Sequence, residues 1–180
     1  TLQGVVYDES IKKLRKLKSV NLSTVPLNSN ILSAKPEIKL NITNAIILEG
    51  DPEIKIPINR KTKSLSLRIW TDSKVLNLSF LSKFVALEEL EIHFTWSNNQ
   101  LKEIILPKDI HKIKDLKILE IQGSGRSGQK LKVHNNFYKL KNLEKVYLSY
   151  LDISLPSTSE WIKLKDLKLY QCAIGKISNF

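Results

Sequence analysis

The stretch Leu164-x-x-Leu167-x-Leu169-x-x-Cys172-x-Ile174 decides the fold of this 180-residue chain. The same skeleton stands earlier as Leu143-x-x-Val146-x-Leu148-x-x-Leu151-x-Ile153, and in shorter form as Leu116-x-x-Leu119-x-Ile121 and Leu87-x-x-Leu90-x-Ile92. Alternating apolar and polar residues at its centre predict a strand with one buried face. With the second apolar residue of each strand as marker, Leu67, Ile92, Ile121, Leu148 and Leu169 lie 25, 29, 27 and 21 residues apart. Val20-x-Leu22 and Leu40-x-Ile42 extend the series upstream, so about seven rungs are expected. Periods of this length mark arrays in which one supersecondary unit recurs.

The segments between strands carry a second regularity. In Leu106-Pro107-x-x-Ile110-x-x-Ile113-x-x-Leu116-x-x-Leu119 the apolar residues recur at every third position. Leu81, Phe84 and Leu87 do the same, as do Phe137, Leu140 and Leu143, and the pair Trp161 and Leu164. Period three predicts a 3₁₀ turn or short helix with one face inward. Pro107 fixes φ at the start of such a turn and supplies no donor. One rung cannot bury its apolar face alone, whereas stacked neighbours share a continuous core.

Together the two patterns resemble the leucine-rich repeat, L-x-x-L-x-L-x-x-N/C-x-L. The resemblance covers residues 60–180 strongly and 10–60 weakly. The Leu-Pro-x-x-Ile turn and the Lys/Ile-rich composition are similar to bacterial members that are secreted or displayed on the cell surface. The chain departs from the pattern in its irregular rung lengths and at the ladder Asn, where Ser124, Leu151 and Cys172 stand. The resemblance implies an α/β leucine-rich-repeat solenoid, with a curved parallel sheet on the concave side and 3₁₀ turns or short helices on the convex side. It implies one domain over 1–180: an N-terminal cap in 1–18, weak rungs in 19–60 and clear rungs in 61–180. It also implies non-catalytic binding of a protein or peptide on the concave sheet, with no cofactor, and an extracellular or cell-surface setting.

Strand alternation turns Ser66, Arg68, Glu91, His93, Glu120, Gln122, Tyr147, Ser149, Lys168 and Tyr170 outward in two columns, the candidate binding residues. Tyr147 and Tyr170 are either rigid anchors for a partner or a cross-strand pair that stabilises the sheet. Glu91, His93 and Glu120 alone resemble a metal or acid/base set. A solvated acidic patch that receives a basic group of the partner is the favoured reading, and no metal or catalytic residue is assigned.

The formal net charge is +11, with the largest excess in residues 101–150. Lys108, Lys112, Lys114, Lys117, Lys139, Lys141 and Lys145 mostly occupy polar positions of the period-three segments and are expected on the convex or lateral surface. Adhesion to polyanions or anionic surfaces through these lysines is the alternative function. Nucleic acid is a disfavoured partner, because stacking aromatics and a recognised docking element are missing from the sequence. No apolar run approaches the roughly 18–20 residues of a membrane span.

The single cysteine, Cys172, excludes an internal disulfide and is expected at a buried turn that ties one rung to the next. Gly123-Ser-Gly125-Arg-Ser-Gly128 matches G-x-G-x-x-G, but Leu131-x-Val133 continues as extended chain where a phosphate-binding helix would be needed. Asn21, Asn41 and Asn77 fit the glycan acceptor triplet, as chance allows in an Asn-rich chain. Trp70 and Trp96 are expected in connecting loops and Trp161 in the core. Residues 8–18 are expected to form a capping helix with Ile11, Leu14 and Leu17 inward. The start at Thr1 suits removal of an upstream segment. An uncapped last rung is a candidate edge for self-association.

Overall fold

The computed structural model describes residues 2–3, 19–23 and 39–47 as backbone, and 62–95, 101–125, 128–154 and 161–174 with their side chains. Thirteen strands follow in chain order. They are β1 (Leu2–Gln3), β2 (Ser19–Ser23), β3 (Lys39–Ile47), β4 (Ser64–Thr71), β5 (Val75–Asn77), β6 (Glu89–Phe94) and β7 (Glu103–Ile105). Then come β8 (Ile118–Gln122), β9 (Lys130–Lys132), β10 (Lys145–Ser149), β11 (Asp152–Ile153), β12 (Asp166–Tyr170) and β13 (Ala173–Ile174). They form two sheets, an eight-stranded one ordered β1-β2-β3-β4-β6-β8-β10-β12 and a five-stranded one ordered β13-β11-β9-β7-β5.

Every pairing is parallel, and the register superposes equivalent residues of the motif. Leu67 lies beside Ile92, Ile92 beside Ile121, Ile121 beside Leu148, and Leu148 beside Leu169. Parallel neighbours need a crossover, and from β4 onward that crossover is a short strand of the smaller sheet and the return path behind it. The pairing of β3 with β4 shifts register between Ile42 and Ala45.

Between the two sheets lies one core. The larger sheet contributes Leu65, Leu67, Leu90, Ile92, Leu119, Ile121, Val146 and Leu148, all 0–1 % exposed. The smaller sheet adds Leu76, Ile104, Leu131 and Ile153. The period-three segments close the third side through i→i−3 hydrogen bonds. Phe84 N–H donates to Leu81 O (3.0 Å) and Leu87 N–H to Phe84 O (3.2 Å). Ile110, Ile113 and Leu116 repeat this from Pro107, and Phe137, Leu140 and Leu143 repeat it from His134. Such bonds turn every third side chain the same way, so these apolar residues all enter the core. Phe137 meets Trp161 edge to face at 5.3 Å.

Three features differ from the expectation. Among the described residues helical structure is confined to 3₁₀ segments at Ser79–Lys83, Ile110–Lys112 and Asn135–Lys139, and a second sheet shares the far side with them. Trp70 lies inside β4 rather than in a connecting loop, and Ile46 is its register partner. Leu2–Gln3, within the stretch assigned to a cap, is a strand paired with β2. The proposed helix at 8–18, Trp96, and the side chains of Asn21 and Asn41 lie outside the described residues. No helix among those described is long and apolar enough to cross a membrane.

Candidate functional site

The larger sheet turns one face to the core and the other outward. On β4, β6, β8 and β10 every second residue is buried, and the residues between are half-buried or exposed. All ten candidate residues belong to the outward set. Ser66, Glu91, Glu120, Tyr147 and Lys168 form one line across the strands, and Arg68, His93, Gln122, Ser149 and Tyr170 a second. Neighbours within a line stand about 4.8 Å apart along the hydrogen-bonding direction.

A third line runs beside these: Ser64, Glu89, Ile118, Lys145 and Asp166. It was not anticipated, because each strand starts one residue ahead of the apolar pair that marks it. Lys145 therefore belongs to the outer face of the sheet, whereas Lys108, Lys112, Lys114, Lys139 and Lys141 are exposed on the 3₁₀ side. On β4 to β12 the three lines hold four carboxylates (Glu89, Glu91, Glu120 and Asp166) against Arg68, Lys145 and Lys168. The face is nearly balanced in charge on a chain of net charge +11.

Side chains on this face are tied across strands. Ser64 Oγ donates to Glu89 Oε2 (3.1 Å), and His93 Nε2 lies 3.4 Å from Glu120 Oε1. Tyr147 OH donates to Asp166 Oδ2 at 2.7 Å. Lys168 Nζ sits 4.6 Å from the Tyr147 ring centroid and 3.6 Å from Asp166 Oδ2. A cation over an aromatic face is attracted by the ring quadrupole. The bond to Asp166 raises the Tyr147 pKa above the ordinary phenol value, and the same bond holds the Asp166 carboxyl below its usual range. Among the described residues no group of three or more His, Cys, Asp and Glu is arranged to hold a metal ion.

The aromatic pair differs from the one expected. Tyr147 stands opposite Lys168, and Tyr170 packs edge to face against Tyr150, with centroids 5.5 Å apart and ring planes at 82°. Tyr150 follows β10 with φ 58, a left-handed conformation that a non-glycine residue adopts at a cost of about 1–3 kcal/mol. Gln171, which follows β12, has φ 49. Partial burial raises the Tyr150 pKa, and Tyr170 adds to the shift. Asp166 and Glu89 are the notable members that sequence reasoning left out. The signal for Asp166 was its place two residues before Lys168 in a strand.

The glycine-rich stretch forms a corner. Ser124 N–H donates to Gln129 Oε1 (2.9 Å), and Gln129 Nε2 donates to Leu101 O (3.1 Å) from a buried position. The chain then enters β9, so no helix terminus faces the glycines. Cys172 is half-buried rather than fully buried, and its thiol lies 3.3 Å from Leu148 O of the preceding motif copy.

A charged ladder along one edge was invisible in the sequence. Lys63, Glu88, Lys117, Glu144 and Lys165 immediately precede β4, β6, β8, β10 and β12 and alternate in sign. Glu88 joins Lys63 at 2.8 Å and Lys117 at 2.7 Å, and Glu144 joins Lys165 at 2.8 Å. The Lys117 and Lys63 hydrogen bonds lower the Glu88 pKa to about 2.

No protein-family model matches this sequence, and no curated protein matches it either.

Proposed function

We propose that the chain is a leucine-rich-repeat solenoid of about seven rungs that serves as a non-catalytic interaction module. It takes a protein or peptide partner on the outer face of the larger sheet, as a secreted or cell-surface protein. The observation that carries the reading is the contrast between that face and the rest of the molecule. The surplus lysines lie elsewhere, while this face offers three tyrosines and a nearly even set of charges. Tyrosine is enriched at interfaces because it brings a large contact area with little entropy to lose and a polar tip. A strained Tyr150 backbone that presents the ring beside Tyr170 adds to the support, since such strain collects at functional positions.

The test is capture of a partner from source or host lysate by the intact protein and by a Tyr147→Ala/Tyr170→Ala variant of matched stability. The proposal expects a partner held at moderate salt and lost in the variant. Equal capture by both, removed by salt, would move binding to the lysines of the 3₁₀ side. That second reading, adhesion to a polyanion, is favoured by the exposed Lys108, Lys112, Lys114, Lys139 and Lys141.

A further inference from the structure

The 3₁₀ side repeats one surface pattern from copy to copy. Phe84, Ile113, Leu140 and Trp161 are buried, and the carbonyl of each accepts the N–H three residues later. The residue after each is therefore turned to the same outward position, which gives the line Val85, Lys114, Lys141 and Ile162, all exposed. The residue before the first three gives a second exposed line, Lys83, Lys112 and Lys139. Asn142 ties three successive turns together: its Nδ2 donates to Lys114 O (2.8 Å), and its Oδ1 accepts from Lys163 Nζ (2.7 Å). Among the described residues of these turns the acidic side chains are Asp109, already bonded to Lys112 at 2.8 Å, and Asp115.

The two ends of the first line decide what such a face would meet. Val85 is 42 % and Ile162 77 % exposed. Lys141 holds the same outward position as Ile162 and is exposed with a turn on either side of it. The exposure of Ile162 thus belongs to the position and not to its place in the array. A soluble polyanion is met by the lysines alone and gains nothing from aliphatic side chains beside them. At a bilayer the two kinds of residue act together. Lysine stems lie along apolar surface with the ammonium among the headgroups, while aliphatic side chains enter the acyl boundary.

We propose that the 3₁₀ side docks on an anionic lipid surface, with Lys114 and Lys141 on headgroup phosphates and Val85 and Ile162 seated in the acyl boundary beside them. Binding of this kind sums apolar burial and attraction to anionic lipid. Each lysine near such a surface raises affinity about fivefold. The docking face is separate from the outer face of the larger sheet and does not rest on a partner there. It narrows the polyanion reading of these lysines to a bilayer.

The test is co-sedimentation of the full chain with vesicles of phosphatidylcholine alone and of phosphatidylcholine and phosphatidylglycerol in equal parts, beside titration with heparin. Thermal melts first confirm that each variant folds. The wild-type chain is expected to bind the mixed vesicles and not the neutral ones. Ile162→Ser should weaken vesicle binding about tenfold, Val85→Ser should weaken it less, and both should leave heparin affinity unchanged. Lys114→Gln/Lys141→Gln should weaken binding to vesicles about 25-fold. Tyr147→Ala/Tyr170→Ala should bind vesicles as the wild type does. No binding to the mixed vesicles at low salt overturns the proposal, as does equal vesicle affinity of Ile162→Ser and the wild type, which would leave the lysines to a soluble polyanion. Loss of vesicle binding in the tyrosine variant also overturns it, by moving the contact to the outer face.

Discussion

Tyr170, the last residue of β12, packs edge to face on Tyr150, which leaves β10 in a left-handed backbone conformation (φ 58). The two rings meet only because Tyr150 departs from the extended path. Backbone strain and aromatic contact are therefore set against each other at one position.

Substitution of Tyr150 separates the two. Both Tyr150→Ala and Tyr150→Gly remove the ring contact, but only glycine adopts a positive φ without steric penalty. We expect Tyr150→Gly to be more stable than Tyr150→Ala by about 1 kcal/mol, the reverse of their usual order in a strand. Urea unfolding of the pair checks this, and a more stable alanine variant would show that the left-handed turn carries no strain.

Glu88 makes stability depend on pH in a defined window. Its carboxyl pKa falls from 4.5 to about 2 in the folded chain, first through the Lys117 bond and then through Lys63. A depressed folded pKa contributes stability that is fully present above the unfolded value and is lost as pH falls through the folded one. The contribution should thus be intact above pH 4.5 and decline toward pH 2. The bridges are partly solvated, so we expect Glu88→Gln to cost no more than about 1 kcal/mol at neutral pH. The difference from wild type should shrink across the acid window and with added salt. Denaturant midpoints measured from pH 2 to 7 test it.

The core between the sheets depends on the residues of the period-three runs. Phe137 is fully buried and meets both Tyr138 and Trp161 edge-on. Phe137→Ala should lower stability by about 3–5 kcal/mol, the range for an emptied aromatic core site. The measurement is equilibrium unfolding, and a loss below about 1 kcal/mol would mean that the neighbours collapse into the void.

Gly123 is required by proximity rather than by φ. A Cβ there would run into the Tyr150 carbonyl oxygen and would stand 2.8 Å from Gln129 Oε1. The Gly123 N–H already donates to Ser149 O at 2.8 Å, so the two copies have no room to separate. Gly123→Ala should cost about 1–3 kcal/mol, as overpacking does. A thermal shift within error of zero would contradict this.

The strands of the larger sheet were legible because each carries two inward apolar residues in alternation, as Leu90 and Ile92 do. The i→i−3 chains were legible in the spacing of Ile110, Ile113 and Leu116. The smaller sheet was not, since β5, β7 and β9 each bury one apolar residue (Leu76, Ile104 and Leu131), and a lone apolar residue has no period. The ladder of Lys63, Glu88, Lys117, Glu144 and Lys165 was hidden for another reason: charge before a strand is ordinary until register aligns it. The ten outward residues followed from alternation alone. The ring pairing did not, because it rests on the left-handed turn at Tyr150, a conformation usually signalled by glycine or asparagine.

The central claim, that the outer face of the larger sheet is the binding surface, is tested most directly by hydrogen–deuterium exchange on the chain with and without a captured partner. The account predicts slowed exchange along β8, β10 and β12, with the 3₁₀ segments at Ile110–Lys112 and Asn135–Lys139 unchanged. Protection confined to those 3₁₀ segments and their lysines would contradict it.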